Sequence, residues 1–177
     1  GYSVSATTRP PRPGERDGHD YHFLTGAEFE RRVVAGEFLE HATYGGHRYG
    51  TLRAEIDRVL GNGCHAVLDI EVEGARQVMD RMPDAVRVFV LPPSAKVLVE
   101  RLRSRDTETP ATRRVRLARA AEELLAVTEY DYVVVNEHLR DAVNAVGAIL
   151  DAESSRVARR RDLAGFVENL RQGVAAA

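Results

Sequence analysis

The chain has one cysteine, Cys64, so no internal disulfide braces the fold. No apolar run approaches the ~18 residues that a membrane helix needs, which excludes a transmembrane helix. An excess of one charge is missing too. The 25 Lys and Arg residues against 27 Asp and Glu leave a net charge of −2, so no bulk basic field draws the chain to nucleic acid. Internal repeats, heptad seams and low-complexity tracts other than the alanine-rich end are absent, which removes solenoids and coiled coils. Cys64 opens an apolar strand and reads as core filler, not as a nucleophile. The expectation is a soluble, cytoplasmic protein with no nucleic-acid or membrane partner.

What is present is 177 residues, 44% of them hydrophobic, enough to build a core in one domain over residues 1–177. Strand and helix patterns alternate. A short strand over 2–6 is followed by a helix over 27–35, with Phe29, Val33 and Val34 at helical spacing. Strands at 37–43 and 48–51 flank a turn at 44–47, and a helix over 52–60 stops at Gly61-Asn62-Gly63. The run 65–71 reads as a buried parallel strand ending in acids. A helix over 74–82, a strand over 86–91 and a helix over 95–105 come next, and Pro110 opens a helix reaching about 129. A strand over 130–135 ends at Asn136. A helix from 139 to about 161 points Val143, Val146 and Leu150 inward, and a tail over 162–177 adds further helical turns. This order gives an α/β fold with a mostly parallel sheet flanked by helices. Ligands of such sheets sit at the carboxyl ends of the strands, which brings Asp69 and Glu71 towards a site.

The most unusual stretch is 3–23. Hydroxyls come first, at Ser3, Ser5, Thr7 and Thr8, followed by Arg9 and Arg12 around Pro10 and Pro11. The prolines fix φ and hold the preceding residues out of the helical region, so the two arginines stand on an extended segment. Each guanidinium can grip a phosphate with two parallel N–H groups. With Tyr21, these groups form a cradle suited to a phosphate monoester; a polar Pro/Gly loop with solvated arginines fits the same residues. A second concentration of arginine, at 101, 103, 105, 113, 114 and 116, flanks the turn 106–110. It suits a lid over polyphosphate, or a solvated helix pair.

The run Ser-x-Ser-x-Thr-Thr-Arg-x-Pro-Arg-x-Gly-Glu-x-x-Gly-x-Asp-Tyr-x-Phe, from Ser3 to Phe23, resembles the GMP-binding signature of guanylate kinases. The similarity continues through Asn136 and the helix after it. The resemblance implies a P-loop-kinase-like fold with a GMP-binding region over 3–51 and an arginine lid over 101–117. It implies phosphoryl transfer from ATP to GMP, with Mg2+ carried on the nucleotide phosphates and no dedicated metal cage. Ser5, Arg9, Arg12, Tyr21 and Tyr49 match positions that hold the GMP phosphate, and Glu40 and Thr51 match those that read guanine. Asp69 and Glu71 match positions between the two nucleotides. Arg101, Arg105 and Arg116 match the lid arginines, and Asn136 a position near the adenine of ATP. Arg12, Asp69 and the lid arginines are the expected catalytic set. A carboxylate at Glu40 suits guanine, whose N1–H and N2–H₂ donors lie on one edge; adenine lacks that pair.

The chain departs from the family pattern at Asp106, commonly glycine, and at Glu73, commonly glutamine. It also contains no G-x-x-x-x-G-K-[ST] loop, whose backbone N–H groups and lysine hold the ATP phosphates; in the family that loop lies roughly 20 residues upstream of the arginine signature. The chain opens on Gly1. The expectation is an N-terminally truncated guanylate kinase lacking its first strand and phosphate loop and inactive alone. A non-catalytic guanylate kinase-like module binding GMP or a protein is the alternative, with a related enzyme acting on another small phosphate ester behind it.

Overall fold

The computed structural model describes residues 1–103, 110–160 and 162–176 and falls into two compact units, Gly1–Ala85 and Val86–Ala177. Helices and strands alternate in the α/β manner expected, on one mixed four-stranded sheet and one parallel two-stranded sheet.

The first unit is built on a four-stranded sheet. β1 (Ala6–Thr7), β2 (His22–Phe23), β3 (Phe38–Tyr44) and β4 (His47–Leu52) stand in the order β2-β1-β4-β3. β1 runs parallel to β2 and antiparallel to β4. The β3–β4 hairpin is the expected insert. Gly45 and Gly46 form its two-residue turn at φ 57° and 81°, the left-handed pair that a type I′ hairpin turn requires. α1 (Gly26–Val34) starts at Thr25, whose hydroxyl accepts from the Glu28 N–H at 3.1 Å. It buries Phe29 against the sheet, stacked on Phe38 at 4.4 Å, with Ala6 and Leu52 completing that core. Val34, expected on the same stripe, is exposed. α2 (Arg53–Gly61) and α3 (Val72–Arg81) form a second core, in which Ile56 and Val78 meet Leu39, Leu68 and Ile70.

The strand expected over 65–71 is reduced to one parallel bridge, Tyr2 to Val67. The Ser3 N–H donates to Val67 O at 3.2 Å and the Val67 N–H to Gly1 O at 2.9 Å, a ladder too short to make a strand. Leu68 and Ile70 turn inward, whereas Val67 is 44% exposed. Cys64 is exposed, not core filler, because its N–H closes the turn after α2 by donating to Val59 O at 3.3 Å.

In the second unit β5 (Val88–Leu91) pairs in parallel with β6 (Tyr132–Val135). α4 (Ala95–Arg103) and α5 (Pro110–Leu124) come between them, and the last helical stretch before β6 is a 3-10 segment, Leu125–Glu129. Of the turn expected at 106–110, residues 106–109 lie outside the described residues and Pro110 opens α5. α6 (Leu139–Ser154) stops short of 161. There Glu153 is buried, accepting from the Tyr132 hydroxyl at 2.5 Å and from Arg159 Nε at 3.0 Å. The inward stripe of α6 runs through Ala142, Val146 and Leu150; Val143, expected inward, is exposed. α7 (Leu163–Ala175) occupies the tail. Among the described residues no helix is long and apolar enough to cross a membrane.

Candidate active site

Strand register decides which side chains meet. Partners across an antiparallel pair share a face, as do residues two apart. Glu40 stands opposite Thr51, Ala42 opposite Tyr49, and Thr7 opposite Tyr49 on the other side. Ser5, two residues before Thr7, shares its side by the two-residue period, and the Tyr21 ring meets the Tyr49 ring edge-on at 6.2 Å. An irregularity between Phe38 and Glu40 makes this face possible. Regular alternation would place those two side chains together. The extra residue instead sends Phe38 into the α1 core and Leu39 into the α3 core, and leaves Glu40 beside Thr51.

The Thr51 hydroxyl donates to Glu40 Oε1 at 2.7 Å, both residues being buried. Burial pushes the Glu40 carboxyl above the ordinary glutamate range, against the pull of the Thr51 hydrogen bonds and of Arg81. α3 fixes this carboxylate from the side. A Cβ at Gly74, in its first turn, would lie 2.5 Å from Glu40 Oε2, so the carboxylate occupies the space that the glycine leaves. One turn on, the Gln77 Nε2 donates to His41 O at 2.8 Å while its Oε1 accepts the His41 N–H at 3.2 Å. That amide takes the place of a neighbouring strand on the edge of β3. Arg81 adds a hydrogen bond from Nη1 to Leu39 O.

The arginine loop is fastened by its threonines. The Thr7 hydroxyl donates to Arg48 O at 3.0 Å and accepts the Arg9 N–H at 3.1 Å. The Thr8 hydroxyl accepts the Arg48 N–H at 2.9 Å. These two hydroxyls, expected in the phosphate cradle, are thus spent on tying the loop to β4. Ser3, expected there too, is buried with its hydroxyl unpartnered among the described residues, and Ser5 is half-buried on the site face. Farther along, Asp17 accepts the Phe23 N–H and Asp20 the Arg16 N–H, each at 2.8 Å.

Arg9 is held tightly. Its Nη1 and Nη2 donate to the two Glu15 oxygens at 3.0 and 2.8 Å, and Nη1 also donates to Pro10 O at 2.7 Å. The guanidinium carbon lies 5.4 Å from the Tyr21 ring centre and 5.9 Å from that of Phe23. The hydrogen bonds with Arg9 hold the Glu15 carboxyl below its ordinary range, and those with Glu15 raise Arg9. Arg12 has an exposed side chain, and its N–H donates to Glu15 Oε2 at 2.6 Å. Burial first, then Tyr49, pushes the Tyr21 phenol up, and the exposed Asp69 adds to that push. Glu71, half-buried, occupies the N-cap position of α3.

In the second unit Arg101 Nη2 donates to the main-chain oxygen of Asn136 at 2.9 Å, and the Asn136 N–H extends the β5–β6 ladder to Leu91 O at 2.7 Å. Arg101 and Asn136 therefore meet at the carboxyl ends of the parallel pair. Arg116 is half-buried on α5, and Arg105 lies outside the described residues.

This arrangement accompanies a match to the guanylate kinase family model over residues 1–153. The chain belongs to the guanylate kinase family. The guanylate kinase of Symbiobacterium thermophilum is 47% identical over 169 residues, 96% of this chain and 79% of that protein. That of Thermotoga maritima is 48% identical over 161 residues, covering 91% and 78% of the two chains. The crystal structure of guanylate kinase from Anaplasma phagocytophilum superposes with a TM-score of 0.79 at 36% identity, over 95% of this chain and 83% of that one.

Sequence reasoning passed over Glu15, Gly74 and Gln77. Glu15 stood in the arginine signature as a letter without a role. Gly74 reads in the sequence only as the start of a helix, and Gln77 gives no local signal.

Proposed function

We propose that the chain carries the GMP-binding half of a nucleoside monophosphate kinase, whose reaction takes GMP as phosphoryl acceptor and ATP as donor and gives GDP and ADP. The observation that carries this reading is the buried Glu40–Thr51 pair on the same sheet face as Ser5, Tyr21 and Tyr49, with Arg9 at the adjoining loop. Glu40 accepts the N1–H and N2–H₂ donors of guanine, with Thr51 holding the carboxylate in place. Arg9, Arg12, Ser5, Tyr21 and Tyr49 take the 5′-phosphate. Adenine offers no such donor pair, so the buried Glu40 carboxylate would keep only Thr51 and lose the ligand's two hydrogen bonds, about 1–3 kcal/mol or more.

Phosphoryl transfer asks for alignment and charge neutralisation more than for a general base. Arg101, Arg105 and Arg116 supply positive charge to the transferring phosphoryl, Asp69 and Glu71 lie between the nucleotides, and Asn136 stands on the adenine side. Mg2+ rides on the nucleotide phosphates. The 177 residues contain no G-x-x-x-x-G-K-[ST] loop, so the backbone donors and lysine that grip ATP phosphates are not among them. Losing one preorganised electrostatic contact commonly costs about 10²–10³ in rate, so these residues alone bind GMP and fail at turnover.

The test is calorimetric titration of GMP into the chain, paired with a coupled assay for ADP from ATP and GMP. GMP binding without measurable ADP supports the reading. Absence of GMP binding overturns it in favour of a protein-binding module, and robust turnover by these 177 residues requires another ATP site.

A further inference from the structure

A guanidinium carries five N–H donors in one plane, and the groups around Arg9 decide which way each edge faces. The Glu15 carboxylate takes one from each terminal nitrogen, at 3.0 Å from Nη1 and 2.8 Å from Nη2. The Pro10 carbonyl takes the other Nη1 hydrogen at 2.7 Å. The edge turned away from Glu15 carries the Nε–H and the outer N–H of Nη2, which point the same way and match two oxygens of a phosphate; the Tyr49 side chain also acts on this guanidinium, so a phosphate docking here meets Tyr49 as well. Tyr21 and Phe23, at 5.4 and 5.9 Å, limit tilting of the plane.

We propose that Glu15 is a positioning residue for phosphate recognition, turning Arg9 so that its Nε–Nη2 edge is the one presented to the nucleotide 5′-phosphate. The inference rests on reading this face as the GMP site. One carboxylate serves both arginines of the loop, because Glu15 Oε2 also accepts the Arg12 N–H at 2.6 Å. It thereby sets the backbone separation of Arg9 and Arg12 across Pro10 and Pro11. The pair is well shielded, with side chains 12% and 18% exposed, so the geometry is held in the absence of a nucleotide.

The sign of the effect separates this role from simple electrostatics. A negative charge beside a phosphate subsite repels the ligand, so removing it by charge alone tightens GMP binding. The positioning role requires the reverse. Glu15→Gln keeps the size of the side chain but replaces one acceptor oxygen with a donor facing Arg9, which frees the guanidinium to rotate.

Titration of GMP and of guanosine into the full chain and into Glu15→Gln distinguishes these outcomes. The expected result is GMP affinity weakened by about tenfold or more, in keeping with loss of a charged, two-point hydrogen bond, and unchanged guanosine affinity. Equal or tighter GMP binding by the variant, or an equal fall for both ligands, overturns the proposal while leaving the GMP site in place. If the unaltered chain takes up no GMP, the site reading itself fails and this inference with it. A second measurement is independent of how the variant folds: ¹⁵N NMR of arginine side chains in the ligand-free chain. Separate Arg9 Nη1 and Nη2 resonances are expected from hindered rotation; one averaged resonance contradicts the locked fork.

Discussion

The two faces of the β2-β1-β4-β3 sheet come from the same few residues and have opposite chemistry. One face packs Ala6, Phe38 and Leu52 under Phe29 of α1. The other presents Tyr49, Thr51 and Glu40. Alternation alone separates them in β4, where Tyr49 and Thr51 interleave with Gly50 and Leu52. In β3 it does not suffice, and the irregularity at Leu39 re-aims Glu40. The apolar face gains from burial. On the polar face a carboxylate is held buried at the expense of its ionised form. The Phe29 core and the recognition groups therefore lie on opposite sides of one sheet.

The largest expected effect is on the apolar face. Phe29 is fully buried, and Phe29→Ala should cost about 3–5 kcal/mol in a denaturant titration, by lost transfer energy and the cavity left behind. A loss below about 1 kcal/mol would mean that this face does not carry the fold.

On the polar face Glu40→Gln should act in the opposite direction on stability. Because burial raises the carboxyl pKa in the folded state, folding favours its protonated form. Stability is then greatest below the unfolded value, near the ordinary 4.5, and falls as pH rises through the window up to the raised folded value. A neutral glutamine should thus raise the melting temperature at pH 7 and flatten its fall across that window. The same titration should erode the preference for GMP over AMP as pH drops, starting above the range of an ordinary glutamate. The phosphate titrates alike in both ligands, so their affinity ratio isolates Glu40.

Arg12→Lys is expected to weaken GMP binding by about tenfold and leave guanosine unaffected, since an ammonium cannot reproduce the two-point fork. Gly74→Ala should be smaller and more selective. The obstructed atom is the far end of the Glu40 side chain, so the fold can yield cheaply, and alanine is favoured over glycine in a helix by about 0.5–1 kcal/mol. The melting temperature should hold or rise while GMP affinity drops several-fold; unchanged affinity would show that Gly74 does not orient Glu40. The smallest effect is expected from Thr8→Val, about 1 kcal/mol of stability from the lost hydrogen bond to the Arg48 N–H, measured by thermal denaturation.

Much of this was legible in the sequence, for identifiable reasons. The paired glycines at 45 and 46 specify a two-residue hairpin, and its alternation brings Tyr49 and Thr51 to one side. The arginine signature is long enough to carry a family resemblance, which the family match sustains. Interactions between distant residues were not legible. The Thr7 and Thr8 hydroxyls looked available for phosphate because the Arg48 backbone that engages them lies about forty residues away. Gln77 has no local role; its partner, the backbone of His41, is 36 residues distant. The apolar run at 65–71 reads as a buried strand, whereas Leu68 and Ile70 are half-buried, Val67 is exposed and its ladder reaches only Gly1–Ser3. Nor does the pattern over 37–43 reveal the irregularity at Leu39, on which the aim of Glu40 depends.

The most direct test of the central claim is calorimetric titration of GMP and AMP into the 177-residue chain, with Glu40→Gln measured alongside. The account predicts that GMP binds, that AMP binds at least about tenfold more weakly, and that the variant closes most of the gap, as expected when a buried carboxylate reads the donor edge of guanine. Equal affinities for GMP and AMP in the unaltered chain, or a ratio unchanged by Glu40→Gln, would contradict it.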